Sequence, residues 1–249
     1  MRKLILFLCC LLLCASTAAR AEEADTDQLL QSFTLKHGDR SSMKIAITID
    51  DGYQPEYYWK CAELCRQYGV GMTFFPIGLK LAEEDRENWR AAIEAGCEIG
   101  SHGYAHINLG KESAWGVIYT LGRFQERLDE VLGFHYQARW LRPPYGNLAD
   151  DNGSEQTARR GVQAFGYEHS LKWDVSETNP DKAIKQVRGG SILLFHARAA
   201  DYACIEALLP KLLEAGFEPV TVSTLFNYPP PEIGEDLYVY DKSLYEGKK

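Results

Sequence analysis

Two adjacent carboxylates, Asp50 and Asp51, close an apolar and β-branched run, Ile45-Ala46-Ile47-Thr48-Ile49. Such a run reads as a buried strand. Buried aspartate is uncommon unless it is paired or binds a metal. Gly52 follows and lets the chain turn, so both acids can face one site; the plainer alternative is an Asp-Gly turn. His102 and His106 stand four apart in Ser-His-Gly-Tyr-Ala-His, the spacing of one face of a helical turn and a good one for two imidazoles on one metal. With one carboxylate from the strand they make a three-ligand set that keeps coordination positions open, as catalytic sites do. In Arg142-Pro143-Pro144-Tyr145-Gly146 the prolines stiffen the loop and remove two N–H groups, leaving the Tyr145 N–H to face a ligand. Arg142 would be a buried cation with Asp50 as its natural partner; otherwise the segment is a rigid connecting turn. His196 ends the apolar run Ile192–Phe195. Alone it reads as a capping core residue, but beside a metal it becomes a proton donor.

These residues need a scaffold that brings them to one place. Strands are expected at residues 44–50, 71–77, 97–101, 138–141, 167–174, 191–195 and 219–223. Helices are expected between them, at 55–68, 84–95, 111–132, 154–165, 181–188 and 202–215, several with glycine just past the end. Alternation of this kind means a parallel sheet with right-handed crossovers. A barrel smaller than the eightfold one is the natural closure, and an open doubly wound sheet is the alternative. In either, functional residues collect at the C-terminal ends of the strands. Each of the segments above sits there.

The chain has 249 residues, 45% of them hydrophobic, enough for one large domain. Arg2, Lys3, the apolar stretch 4–13 and Ala19-Arg20-Ala21 make a secretory leader, residues 1–21, cut before Glu22. Residues 22–42 read as an N-terminal lead and 227–249 as a tail, flanking a domain over 43–226. The formal charge of −8 becomes −11 once the leader's three cations are gone. That balance argues against nucleic acid as a partner, and no stable membrane insertion is expected after cleavage. Cys61, Cys65, Cys97 and Cys204 remain in the mature chain, without zinc-ribbon spacing, and are expected as buried free thiols.

Taken together, Thr48–Gly52, Ser101–His106, Arg142–Gly146 and Leu194–His196 resemble, in order, the motifs of the polysaccharide deacetylases, carbohydrate esterase family 4 with its NodB-homology domain. The resemblance covers roughly residues 43–226. It implies an α/β fold, a distorted (β/α)7 barrel. It implies Asp50 as catalytic base and Asp51, His102 and His106 as ligands of a divalent cation, Zn²⁺ first and Co²⁺ or Ni²⁺ as alternatives. Arg142 would orient the base, the Tyr145 N–H would stabilise an oxyanion and His196 would act as general acid. Leu194, Trp173 and Tyr53 are expected around the substrate pocket. The implied activity is hydrolysis of N-acetyl, or O-acetyl, groups on a secreted or envelope glycan such as peptidoglycan, chitin-like or poly-GlcNAc polymer. A glycan-binding pseudoenzyme and a small-molecule amide hydrolase are the competing readings.

One motif departs from the family. A Trp-x-x-Asp-x-x-Asp-Trp-like run is expected after the fifth strand, but the chain reads Trp173-Asp174-Val175-Ser176-Glu177-Thr178-Asn179-Pro180. Aligned on Trp173, Asn179 stands where an aspartate would partner the acid histidine; a two-residue deletion explains the run equally well. Asp174 is the candidate substitute.

Overall fold

The computed structural model describes residues 30–239, so the expected leader lies outside the described residues. Nine strands are described: β1 (Thr34–Leu35), β2 (Lys44–Asp51), β3 (Thr73–Pro76), β4 (Glu98–Ile99), β5 (His135–Tyr136), β6 (Ser170–Leu171), β7 (Ile192–His196), β8 (Glu218–Val220) and β9 (Ile233–Gly234). The helices among the described residues are α1 (Glu56–Tyr68), α2 (Arg86–Glu94), α3 (Ala114–Leu132), α4 (Gln156–Phe165), α5 (Pro180–Gln186), α6 (Ala199–Glu214) and the single turn α7 (Val222–Leu225).

β2 is the axis of the sheet. It pairs in parallel with β3 along Thr48–Asp51 and with β7 along Ala46–Asp50. Its first residues, Lys44–Ala46, pair with β8, and the Gly71 N–H, just before β3, donates to the Pro219 carbonyl at 3.0 Å. β8 is therefore wedged between the lower ends of β2 and β3. The ring continues from β3 to β4, through single parallel bridges Ser101–Leu141 and Leu141–Ser170, and returns to β7 by the bridge Val175–Leu193. The result is the expected distorted α/β barrel, with one wall of ladders and one wall paired almost residue by residue. On that thin wall the expected strands 138–141 and 167–174 shrink to Leu141 and to Ser170–Leu171.

The strand period sorts β2 into two faces. Ile45, Ile47 and Ile49 point outward into the mantle formed with α1, α2, α3 and α6, and each is at most 1% exposed. Burial of a side chain of this size stabilises the fold by about 1.5–3 kcal/mol. Ala46 points inward among Phe75, Trp140, Leu171 and Ile192, and the floor below is closed by Val222, Leu225 and Phe226. Thr48 and Asp50 are next on that inward face, rising toward the C-terminal mouth.

Two segments set outside the domain by sequence belong to its walls. β1, within the lead, pairs in parallel with β6, and the Gly38 N–H donates to the Gly190 carbonyl at 2.7 Å. β9, within the tail, pairs antiparallel with β5. Both supply the partners that the exposed edges of β6 and β5 need. All four cysteines are buried and free, and the Cys65 and Cys97 sulfurs lie 3.5 Å apart. No helix among the described residues is long and apolar enough to cross a membrane.

Candidate metal and acid–base centre

Asp50 arrives at the mouth on the inward face, as alternation requires. Asp51 should then point into the mantle. It does not, because its own backbone is left-handed at φ 78° and Gly52 follows at φ 94°. Aspartate tolerates that region better than most residues, yet a non-glycine residue there costs on the order of 1–3 kcal/mol. The turn begins one residue earlier than the glycine suggested, and this is what brings two consecutive acids to one site.

His102 and His106 also reach the site, but not on a helical turn. Residues 102–106 are a loop, reversed at Gly103, φ 75°. The Gly78 and Leu79 N–H groups donate to the Gly103 and Tyr104 carbonyls at 2.9 and 2.8 Å, and the Tyr104 N–H donates to Thr120 Oγ1 at 3.1 Å. The His102 and His106 rings are held 5.2 Å apart.

The carboxylate of Asp51 and the two imidazoles converge. Asp51 Oδ1 is 3.5 Å from His102 Nε2 and 3.6 Å from His106 Nε2, and the three ligand atoms lie within 4.8 Å of one another. These separations exceed ordinary hydrogen bonds and suit ligands around one cation, since metal bonds of about 2.0–2.1 Å in a tetrahedron give edges near 3.3 Å. His102 Nδ1–H donates to the Arg142 carbonyl at 2.7 Å, which turns the Nε2 lone pair toward the site. The donor set fits a divalent ion. Burial raises the Asp51 pKa, but the neighbouring histidines, His102 first, outweigh it and hold the carboxyl below its usual range. Burial, then His102, pushes the His106 imidazole below its usual value, keeping it neutral for ligation.

Asp50 is locked from beneath by Arg142, whose side chain is fully buried. Arg142 Nη1 donates to the two Asp50 oxygens at 3.1 and 3.3 Å, and Nη2 donates to Thr48 Oγ1 at 3.1 Å and to the Lys172 carbonyl at 3.3 Å. Its guanidinium lies over the rings of Phe75, at 4.8 Å, and Trp173, at 5.4 Å. Tyr145, left-handed at φ 61°, sets its ring edge-on to His106 at 4.5 Å.

On the neighbouring strand, in register with Asp50, His196 finds a carboxylate, and it is neither of those expected. Asp201, in the first turn of α6, accepts from the His196 backbone N–H at 2.6 Å and from its Nδ1–H at 3.3 Å. Arg198 Nε pairs with the other oxygen at 3.1 Å. The hydrogen bond to Asp201 raises the His196 pKa above its ordinary value against the opposing effect of burial. Burial likewise works against the Asp201 carboxylate, and the bonds from His196 and Arg198 prevail and hold it below its usual range.

The two sequence candidates for that role serve elsewhere. Asn179 Oδ1 caps α5, accepting from the Asp181 and Lys182 N–H groups. Asp174 pairs with Arg40 Nη2 at 2.8 Å and accepts from Ser191 Oγ and the Ile192 N–H. Asp201 carried no motif; its only signal was an acid at the start of a helix five residues beyond the histidine.

A cavity of about 150 Å³ joins these parts, lined by Asp50, Asp51, His102, His106, Tyr145, Gly146, Trp173, Leu194 and His196. Leu194 and Trp173 are thus at the pocket, whereas Tyr53 is outside its lining and 60% exposed. A larger cavity, about 210 Å³, lies near Arg139, Trp140 and Tyr228 and contains none of the acid and histidine residues.

The polysaccharide deacetylase family profile matches residues 37–169, more than half of the chain. A peptidoglycan-N-acetylglucosamine deacetylase of Bacillus cereus is 28% identical over 74% of this chain and 88% of its own. The peptidoglycan-N-acetylmuramic acid deacetylase PdaC of Bacillus subtilis is 26% identical over 75% of this chain but only 39% of its own. Among solved structures, Bacillus subtilis PdaA, a family 4 carbohydrate esterase, superposes with a TM-score of 0.68 at 21% identity, over 81% of this chain and 88% of that one. A CE4 family pseudoenzyme from Bacillus anthracis superposes at 0.67 and 21%, over 78% of this chain and 68% of that one. The barrel with its acid–histidine mouth is of the deacetylase class. The chain belongs to the polysaccharide deacetylase family, hydrolases of carbon–nitrogen bonds other than peptide bonds.

Proposed function

We propose that this chain removes N-acetyl groups from an amino-sugar polysaccharide of the bacterial envelope, reaching it by way of the leader at residues 1–21. The observation that carries the reading is the convergence of three ligand atoms within 4.8 Å in a cavity that Asp50 and His196 also line. Asp51, His102 and His106 would hold a divalent cation, Zn²⁺ by ligand type. When bound, it supplies Lewis-acid polarisation and lowers the pKa of water. Asp50, fixed by Arg142, takes the proton of the attacking water. The Tyr145 N–H helps to stabilise charge developing on the acetyl oxygen, an effect worth roughly 3–4 kcal/mol for a well-placed donor. His196, its imidazolium favoured by Asp201, protonates the departing amine. Peptidoglycan is the favoured polymer, because the Bacillus cereus relative acts on its N-acetylglucosamine.

The altered 173–180 run favours a pseudoenzyme as the second reading, and the Asp201 carboxylate beside His196 supports turnover against it. The test is acetate release from N- and O-acetylated glycans before and after chelation, with elemental analysis of the protein. Chelation should abolish release and Zn²⁺ or Co²⁺ should restore it, while His102→Ala should lower metal content. An active, metal-free protein would sink the reading.

A further inference from the structure

Two sulfurs that take no part in the chemistry above lie in contact. Cys65 is in the last turn of α1 and Cys97 directly precedes β4, and the Cys97 thiol donates to Cys65 Sγ at 3.5 Å. Both backbones are fixed by helix-ending bonds. The Cys65 carbonyl accepts from the Gly69 and Val70 N–H groups, and the Cys97 N–H donates to the Ala92 carbonyl at 3.0 Å. A disulfide bond is about 2.0 Å long, so closing the pair asks each sulfur to move about 0.7 Å, within the reach of side-chain torsion. The other two thiols are placed differently. Cys61, one turn earlier on α1, touches no sulfur among the described residues, and Cys204 faces the Glu177 carbonyl at 4.0 Å. A cavity of about 380 Å³ beside α7 gives a small molecule a way in. Its lining includes Cys97, Glu98, Tyr136, Pro230 and Ile233, but not Cys65.

We propose that Cys65 and Cys97 are a modification site, a dithiol that a small organic disulfide entering this cavity converts to an intrachain disulfide. Cys97 is the entry thiol. As thiolate it attacks one sulfur of the reagent, the reagent's S–S bond breaks, and one thiol leaves. Cys65, as thiolate, then attacks Cys97 Sγ and expels the second thiol. The two protein thiols lose two protons and two electrons, and the reagent gains them as two thiols. The bond with Cys65, then burial, raises the Cys97 thiol well above its ordinary value, which places the exchange in hours rather than seconds. The bridge would tie the end of α1, the helix after the Asp50–Asp51 turn, to the strand that leads to His102. It spans 32 positions of chain and constrains the unfolded state accordingly. The inference is independent of the deacetylase reading.

The test incubates reduced, folded, full-length protein with bis(2-hydroxyethyl) disulfide, followed by alkylation and peptide mass mapping. The expected product has lost two hydrogens and yields a linked Cys65–Cys97 peptide, with Cys61 and Cys204 still alkylated. Its melting temperature should rise by about 5–10 °C and return on reduction with a phosphine. Cys65→Ser should stop at a hydroxyethyl adduct on Cys97, and Cys97→Ser should gain neither adduct nor bridge. Cys61→Ser should bridge like the parent. Four alkylated thiols in the treated parent, a bridge through Cys61 or Cys204, or a lasting adduct on Cys97 in the parent would each overturn the proposal. The mapping of the parent decides this whether or not the serine variants fold.

Discussion

His196 and Asp201 make a pair whose sign is set by geometry. The imidazolium is favoured by the carboxylate, so the proton that His196 donates is retained to higher pH than in a solvated imidazole. Activity that needs this proton is full at low pH on this limb and declines as pH rises through the raised value. Asp201→Asn should therefore shift the alkaline limb of the kcat/KM profile to lower pH. Asn179→Asp and Asp174→Asn should leave that limb in place, since neither side chain bonds to His196. A limb that moved with Asp174 and not with Asp201 would reverse the assignment. The same shift acts on stability: its contribution is fully present below the ordinary imidazole pKa and is lost as pH rises through the raised one. Arg142 gives a second expectation. Arg142→Met strands a buried carboxylate and should cost about 3–5 kcal/mol in urea unfolding, whereas pairing it with Asp50→Asn should recover part of that loss. The motif residues were legible from sequence because their types are costly to bury without a use. Asp201 was not, because its contact depends on how β7 hands over to α6.

Segments between the strands position the site more than the strands do. The loop at residues 102–106 was read as a helical turn from the four-residue spacing of its histidines. Gly103 and the bonds from residues 78–79 deliver the same convergence without a helix, so spacing identified the pair and not its backbone. Gly146 shows how tight the fit is. It is left-handed at φ 62°, and a Cβ added there would meet the Trp173 ring at 2.7 Å. Gly146→Ala combines backbone strain with displacement of the ring over Arg142, so a stability loss of about 1–3 kcal/mol is expected. Calorimetric melting together with kcat measurement checks this; an unchanged melting temperature would show that Trp173 moves freely. Strand positions were legible because β2 and β7 are continuous apolar runs. Strand lengths on the thin wall were not, because pairing there is decided by β1, which the apolar pattern did not reveal.

At the scale of the molecule, Asp129 ties the far edge of the barrel to the tail. Fully buried in α3, it accepts from Gln125 Nε2 at 2.7 Å, His135 Nδ1 at 2.6 Å, the Tyr136 N–H at 3.2 Å and the Tyr238 N–H at 2.8 Å. Ending the chain after Pro230 would remove β9 and the Tyr238 donor. That truncation should cost about 2–4 kcal/mol, from the lost bonds of Tyr238 to Asp129 and of Gln137 to the Glu232 carbonyl and the edge contact of the Tyr238 ring with Phe165. Urea midpoints of the full and shortened chains decide it, and equal midpoints would mean the tail is dispensable to the fold.

The wedge of β8 between β2 and β3 has a temporal meaning. The first long strand to leave a ribosome cannot complete its lower pairing until Glu218–Val220 has been made. Contacts so distant along the chain slow folding because loop closure precedes any gain. A polypeptide built this way keeps its central strand incompletely paired until residue 220 has been made, so the sheet closes late however early β2 emerges.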